Sequence, residues 1–215
     1  MADAKEEVSG ADAEQGSKRF ELLCGISIAV IAAILSISDL GAGKYGDDEL
    51  LAHNEKSGAY LWYQSKGIKE TLVEGQRDTL QALMAANSIA DEQKPAVQQL
   101  LTKLETRIAR YGREKNEILK GSAGVGRENW SQEVDGKLGH VTGAAEWEAK
   151  AEALGKAGDM FDYASLFLQL ALVLGAISLV TQNPKSRLAF FAFMVILAVV
   201  GTGYSVIAFR AALAI

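Results

Sequence analysis

The chain has 215 residues, 49% of them hydrophobic, and a formal net charge of -5. The negative charge argues against nucleic acid as a partner, because such a partner requires a concentrated basic face. The single cysteine, Cys24, excludes an intramolecular disulfide and any zinc or iron–sulfur site built on several thiolates. We therefore expect no cofactor and no metal.

Residues 1–20 are acidic, small and aperiodic, which predicts a disordered cytoplasmic tail. Residues 21–39 follow as the first of three apolar segments, long enough to cross a hydrocarbon layer as a helix. Lys18 and Arg19 precede this segment, but no small-residue cleavage site follows it. We therefore predict an uncleaved transmembrane anchor. The glycines in residues 41–46 predict a flexible exit from the membrane.

Residues 40–159 form a charged insert, which predicts a long helical hairpin outside the membrane. Acidic residues at 47–49 suit the start of its first leg. Apolar, small and amide side chains then recur at spacings of three and four, the period of a coiled coil. These positions are Leu50, Asn54, Ser57, Leu61, Gln64, Ile68, Leu72, Gly75, Thr79 and Leu83. Polar residues in such a seam fix register and partner number. The alternative is that this side is solvated and the seam lies in another phase.

The return leg carries a cleaner heptad that ends at Gly121. Its positions are Val97, Leu101, Leu104, Ile108, Tyr111, Lys115 and Ile118. The two legs predict an antiparallel, coiled-coil-like hairpin with its tip near residues 86–94, reaching about 60 Å from the membrane. A Gly-rich break at 121–143 predicts a hinge. Residues 144–159 then regain strong helix propensity, which is expected to continue into the second span.

An aromatic and lysine-rich stretch lies in the middle of the first leg. It contains Tyr60, Trp62, Tyr63, Lys66 and Lys69. The rings wrap much of the helix, so at least one is expected to face a partner chain or the return leg. We favour contact with a partner protein over ordinary packing within the hairpin.

Residues 160–181 and 188–210 are the second and third apolar segments, joined by a short basic loop at 182–187. Basic residues concentrate on the cytoplasmic side of membrane proteins. Two pairs of basic residues place both flanks in the cytoplasm: Lys18 and Arg19 before the first span, and Lys185 and Arg187 in this loop. The hairpin then lies outside. In a bacterium this predicts a multi-pass inner-membrane protein with a periplasmic hairpin.

Two features within the spans predict contacts inside the bilayer. Asp162 and Gln169 lie on nearly the same face of the second span, where we expect them either to line a polar path or to bond to a neighbouring helix. The alternative is that Asp162 lies at headgroup level, where charge is tolerated. Small residues at four-residue spacing let helices approach closely. These are Gly25, Ala29 and Ala33 in the first span, Gly175 in the second, and Gly201 and Ser205 in the third.

Motifs for catalysis are weak. Residues 41–44 lack the earlier glycine, the following hydroxyl residue and the preceding strand of a phosphate loop. Residues 121–126 have the wrong glycine order for a dinucleotide loop. His53 and His140 are far apart and are interpreted as unrelated surface residues rather than metal ligands. No nucleophile has a supporting local motif, so we predict no catalytic site and no enzyme.

A signature-like run lies at residues 54–69, Asn-Glu-Lys-Ser-Gly-Ala-Tyr-Leu-Trp-Tyr-Gln-Ser-Lys-Gly-Ile-Lys. It resembles that of a bacterial family known as domain of unknown function 4337. The segments 48–51, 108–111 and 184–187 fit the layout of that family, and the resemblance covers residues 19–210. It implies a three-span membrane protein with a helical hairpin and carries no activity. The segment 121–143 resembles an addition to the family pattern.

Three functions follow as hypotheses. The leading one is a non-enzymatic scaffold or accessory subunit, which assembles as a homo-oligomer or within a larger membrane complex. The second is a channel or transport component of a homo-oligomer, with Asp162 and Gln169 lining its path. The third, an envelope enzyme that uses the histidines, has no supporting motif.

Overall fold

The structure is a computed structural model that describes residues 2–134 and 137–215, with side chains for all of these except residues 2–15, 17 and 134. The described residues are mainly helical, as the sequence predicts. The helices are α1 (Ala2–Ala85), α2 (Lys94–Lys120), α3 (Ser122–Val125), α4 (Ala144–Val180) and α5 (Pro184–Leu213). A short 3₁₀ turn at Asp91–Gln93 precedes α2. A second 3₁₀ turn at Arg127–Asn129 and the strands β1 (Glu133–Val134) and β2 (Lys137–Leu138) lie between α3 and α4.

α1 is longer than the sequence predicts, because it passes through residues 41–46 without a break. The flexible exit predicted there is wrong. A Cβ on Gly41 would lie 2.7 Å from the ring of Phe209 and 2.8 Å from that of Phe161. Glycine therefore serves at this position to let two rings approach the helix. α1 also begins within residues 1–20, but Met1 and the side chains of 2–15 and 17 lie outside the described residues, so the predicted cytoplasmic tail stays a prediction.

The chain divides into two compact units. Unit 1 contains Met1–Asp48 and Ala153–Ile215, and unit 2 contains Glu49–Glu152. Among the described residues, three helical stretches are long and apolar enough to cross a membrane: Lys18–Ala85, Ala144–Val180 and Pro184–Leu213. Their length and composition are compatible with a multi-pass membrane protein.

Unit 1 is held together by two layers of side chains from α1, α4 and α5. The first layer is a buried cluster of Ile31, Leu168, Ala171 and Met194. The second is aromatic: Tyr45 stacks on Phe161 with ring centroids 5.8 Å apart, and Phe209 meets both rings edge-on. Edge-to-face and stacked pairs add to the energy of burial alone. Each layer therefore joins helices that are distant in sequence.

In unit 2, α1 packs against α2 and the start of α4 around a core of Ala59, Ile118 and Ala144. Pro95 occupies the first turn of α2, where its missing N–H costs nothing. Gly121 ends α2 with a φ of +84°, a left-handed conformation that favours glycine. The continuation of the helix that starts at 144 into the second apolar segment, which the sequence predicts, is confirmed by α4.

The heptad predicted for α2 faces the core, but the seam predicted for the first leg does not. Every α2 position of that heptad is buried or half-buried, whereas the first-leg positions from Leu50 to Leu83 are all exposed. The face of α1 that points inward carries Ala52, Ala59 and Val73 instead. The alternative stated above is therefore correct: the predicted side of the first leg is solvated, and the buried face of α1 lies in another helical phase. At Ala59 the space between the helices is filled by Ile118 of α2 and Ala144 of α4, which favours a small residue on α1.

The Gly-rich segment breaks the helix as predicted, and the hinge predicted within it stays a prediction. The segment contains α3, a 3₁₀ turn and an antiparallel β pair with Glu133 opposite Leu138. Gly143 packs directly on the backbone after α2, since a Cβ there would lie 2.0 Å from the nitrogen of Gly121. The segment is thus folded onto the end of α2, and the short β pair was not expected from an all-helical sequence pattern.

Candidate functional site

Charged side chains on the inner face of unit 2, where α1 contacts α2, are paired. Lys66 Nζ donates to Glu114 Oε2 at 2.5 Å, and Arg110 Nε donates to Glu114 Oε1 at 2.6 Å. Lys115 pairs with Glu70, and this hydrogen bond raises the pKa of Lys115. Burying a charge is tolerated when an opposite charge and hydrogen bonds accompany it. The buried carboxylate of Glu114 meets that condition with two cations.

Glu117 is completely buried and is held by neutral donors. Ser122 Oγ donates to Oε1 at 2.7 Å. Oε2 accepts from the backbone N–H of Ser131 at 2.7 Å, from Ser131 Oγ at 3.0 Å and from the backbone N–H of Gln132 at 3.0 Å. A carboxylate has about four lone-pair sites. Its own chain occupies them here, so Glu117 organises the segment after α2 rather than presenting a base to a substrate.

The two histidines have separate local contacts. His53 Nε2 lies 3.6 Å from Glu49 on the same helix, and the ring of His140 lies 5.7 Å from that of Trp130. Within the part of the chain that the structure describes, no three His, Cys, Asp or Glu side chains are grouped so as to hold a metal ion.

The aromatic and lysine residues predicted to contact a partner divide into two sets. Tyr63 packs on the core of unit 2, and Lys66 is held in the ion pair described above. Tyr60 and Trp62 keep 39% and 37% of their surface exposed, and Lys69 is exposed. Contact with a partner stays a prediction, and the structure leaves Tyr60, Trp62 and Lys69 as the accessible members.

The outer face of α1 in unit 2 is exposed over its whole length, and half of its positions are leucine or isoleucine. Leu61, Ile68 and Leu72 are 67%, 72% and 64% exposed. We define the outer stripe by the exposed positions Leu50, Asn54, Ser57, Leu61, Gln64, Ile68, Leu72, Gly75, Thr79 and Leu83. Contiguous apolar surface of this kind marks interaction sites on proteins.

A groove borders the distal half of the outer stripe. Residues from 67 to 80 of α1, with Leu100 and Leu104 of α2, line a volume of about 1150 Å³. Its wall is mostly apolar and it opens to the surface of unit 2. Such a groove suits an apolar side chain of another helix better than a reaction that needs convergent polar groups.

Half of the small residues predicted for helix packing lie between the helices of unit 1. A Cβ on Gly175 would lie 2.7 Å from Met194 Sδ, and one on Gly201 would lie 2.8 Å from the nearest side chain of α4. Ser205 is buried and its hydroxyl lies 2.8 Å from that of Ser38, within hydrogen-bond distance. These close approaches are those that small residues allow in helix bundles.

The other predicted positions in unit 1 face outward. Gly25, Ala29 and Ala33 lie on the exposed side of α1, and nothing lies within 4 Å of a Cβ built on Gly25. Asp162 and Gln169 are also exposed. Within one copy these residues are not packed between helices. A role in packing, or in lining a path, therefore requires a neighbouring molecule and stays a prediction.

Sequence analysis missed the two buried carboxylates. Arg110 and Glu114 are an i,i+4 pair that a reading of helix charges can find. No local signal marks Glu117, because three of its hydrogen bonds come from Ser131 and Gln132, up to 15 residues away. The polar contact between Ser165 Oγ and Asp39 Oδ1, at 2.7 Å in unit 1, is equally remote in sequence.

Comparison with known proteins gives a family but no activity. No curated protein and no solved structure matches the chain. The family described as domain of unknown function (DUF4337) matches residues 21–211. That match includes the three apolar stretches, except for their ends, and all of unit 2. The chain therefore belongs to the DUF4337 family, the one that its sequence resembles.

Proposed function

We propose that this protein is a non-enzymatic scaffold or accessory subunit of the bacterial inner membrane. Its N-terminus lies in the cytoplasm, unit 2 forms an antiparallel hairpin in the periplasm, and assembly involves unit 2 and the small-residue faces of the spans. Three apolar helical stretches and the basic residues at 18–19 and 185–187 support this location and orientation.

The contacts of unit 2 support the antiparallel arrangement. Lys66 of α1 meets Glu114 near the end of α2. Further along α1, residues 67–80 line one groove with Leu100 and Leu104, which lie nearer the start of α2. Contacts that move forward on one helix and backward on the next are those of a hairpin.

The exposed outer stripe is the observation that carries the proposal. Fully burying a leucine or isoleucine stabilises by about 1.5–3 kcal/mol, so a stripe of such residues left in water is an unused source of binding energy. The buried carboxylates Glu114 and Glu117 are occupied by their own chain. Unit 2 thus offers a surface for association rather than a reactive group.

Native purification in detergent tests the proposal. We expect a particle larger than one 23.0 kDa chain, containing several copies or additional subunits. Trp62→Ala should reduce that assembly, because the exposed indole contributes contact area, whereas Trp147→Ala on α4 should leave it unchanged. A particle of one chain in a detergent micelle, with no companion protein, would contradict assembly altogether.

A channel in a homo-oligomer is the second candidate, favoured by the exposure of Asp162 and Gln169 seven residues apart on one face of α4. In neighbouring copies such residues would meet around a common axis. Ion flux in liposomes should then fall with Asp162→Asn and persist with Asp159→Asn. Flux that is absent from the wild type, or equal in both variants, would remove this candidate.

A further inference from the structure

We infer that the outer stripe of α1 is the contact between two copies of this chain, paired in parallel and in register. This inference rests on the proposed assembly function and names the partner. It also accounts for a feature that packing within one copy leaves unused, since every position of the outer stripe is exposed.

The chemistry of the outer stripe is complementary to itself. All ten of its positions, from Leu50 to Leu83, are exposed and none is charged. In a parallel pair each of these residues faces its own copy, so a charge would meet a like charge. An amide or a hydroxyl carries both a donor and an acceptor and can bond to its own copy. Every polar side chain of the outer stripe is of that kind.

Asn54 and Gln64 give the pairing its register. A polar amide at a core position of a coiled coil specifies alignment and partner number, because a shifted register leaves it buried without a partner. Leu61 and Ile68 lie one heptad apart on the same line as Asn54. An aligned pair therefore buries apolar side chains and joins amides at the same time.

The parallel direction follows from the membrane topology. Two copies in one membrane share one orientation, and α1 runs in each from its apolar segment into the residues of the outer stripe without a break. Equal segments of the two copies thus leave the membrane on the same side. A charged partner protein would find few charges to recognise on this face, whereas a second copy requires none.

The extent of the surface suits a stable contact. From Leu50 to Leu83 the outer stripe is about 50 Å long at 1.5 Å per residue. Standard interfaces involve about 20–30 residues on each side. The groove bounded by Leu100 and Leu104 of α2 widens the contact beyond the outer stripe itself.

Gly75 of the outer stripe leaves room for a second helix. A Cβ atom built on it would meet nothing within 4 Å. Glycine weakens a helix interior, and its use on an open face is explained when another backbone approaches closely.

Cross-linking of the full chain in liposomes tests the pairing. The native thiol is first removed by Cys24→Ala, and one cysteine is then introduced by Leu61→Cys, by Gln64→Cys or, as the control, by Arg113→Cys at an exposed position on α2. A short thiol-specific cross-linker should double the mass from 23.0 kDa for Leu61→Cys and Gln64→Cys and leave Arg113→Cys at the monomer mass.

A charge substitution gives an independent readout. Ile68→Glu places two like charges opposite each other and should convert the dimer to a monomer, while Arg113→Glu on α2 should not. Circular dichroism of both variants should match the wild type, because both side chains are exposed.

The possible failures separate this inference from the proposed function. A particle of several copies that does not cross-link through residues 61 or 64 would overturn the stripe pairing and leave assembly intact. Cross-linking to a protein of another mass would do the same. A monomer in all measurements would overturn both proposals.

Discussion

Two faces of α1 run side by side through unit 2 and differ in how they meet their surroundings. The inner face carries Ala52, Ala59 and Val73 with paired charges, and it is closed by α2. The outer stripe carries more leucine and isoleucine and is left exposed. The more apolar side of a helix is thus not the side on which this chain packs on itself. Small residues mark the internal contact, and large exposed ones mark surface available to another molecule.

The largest expected effect separates the two faces by stability. Ile118→Ala removes a completely buried side chain opposite the inner face and should lower the free energy of unfolding by about 2–5 kcal/mol. Ile68→Ala on the outer stripe should change it by about 0.5 kcal/mol or less in dilute, monomeric protein. Denaturant unfolding of the full chain in detergent measures both. Equal losses for the two variants would mean that the faces do not differ as described.

Glu117→Gln should give the next largest effect. The amide has one acceptor oxygen and turns an NH₂ group toward the donors of Ser131 and Gln132, which costs about 1–3 kcal/mol. Hydrogen exchange at those two backbone amides should accelerate, because both N–H groups now bond to the carboxylate. Glu105→Gln at an exposed position on α2 is the matched control. Unchanged protection at residues 131 and 132 would show that the carboxylate does not hold the segment after α2.

The sequence revealed the helices but not which face of α1 is covered. In α2, Leu101, Leu104 and Ile118 stand on one side, so periodicity found the right phase. In α1 two lines have coiled-coil spacing, and the line with more leucine is the exposed one. Which of the two lines is buried depends on where α2 packs, and the periodicity of α1 alone carries no information about that. Glu117 was missed for the same reason, since residues 122–132 supply its partners.

The same contrast exists within unit 1 and gives a smaller effect. Gly41→Ala forces a Cβ against the rings of Phe161 and Phe209 and should destabilise by about 1–3 kcal/mol through overpacking. Gly25→Ala has open space and a better helix former, so it should leave stability unchanged or raise it by about 1 kcal/mol. Thermal unfolding in detergent compares the two variants. A loss for Gly25→Ala would indicate that this exposed position is in fact packed against another molecule.

The smallest effect concerns the charges of the inner face. Glu70 raises the pKa of Lys115 above its ordinary value of 10.5, so the charged form is favoured in the folded state. The stabilisation that this ion pair gives the folded state is fully present below the ordinary pKa of Lys115. It is lost as pH rises through the raised pKa. We expect about 0–1 kcal/mol, because the lysine is partly exposed. Lys115→Met should remove this part of the alkaline loss of stability, whereas Lys103→Met should retain it. If both variants lose stability above pH 10.5 as steeply as the wild type, the Lys115–Glu70 pair makes no measurable contribution to the free energy of unfolding.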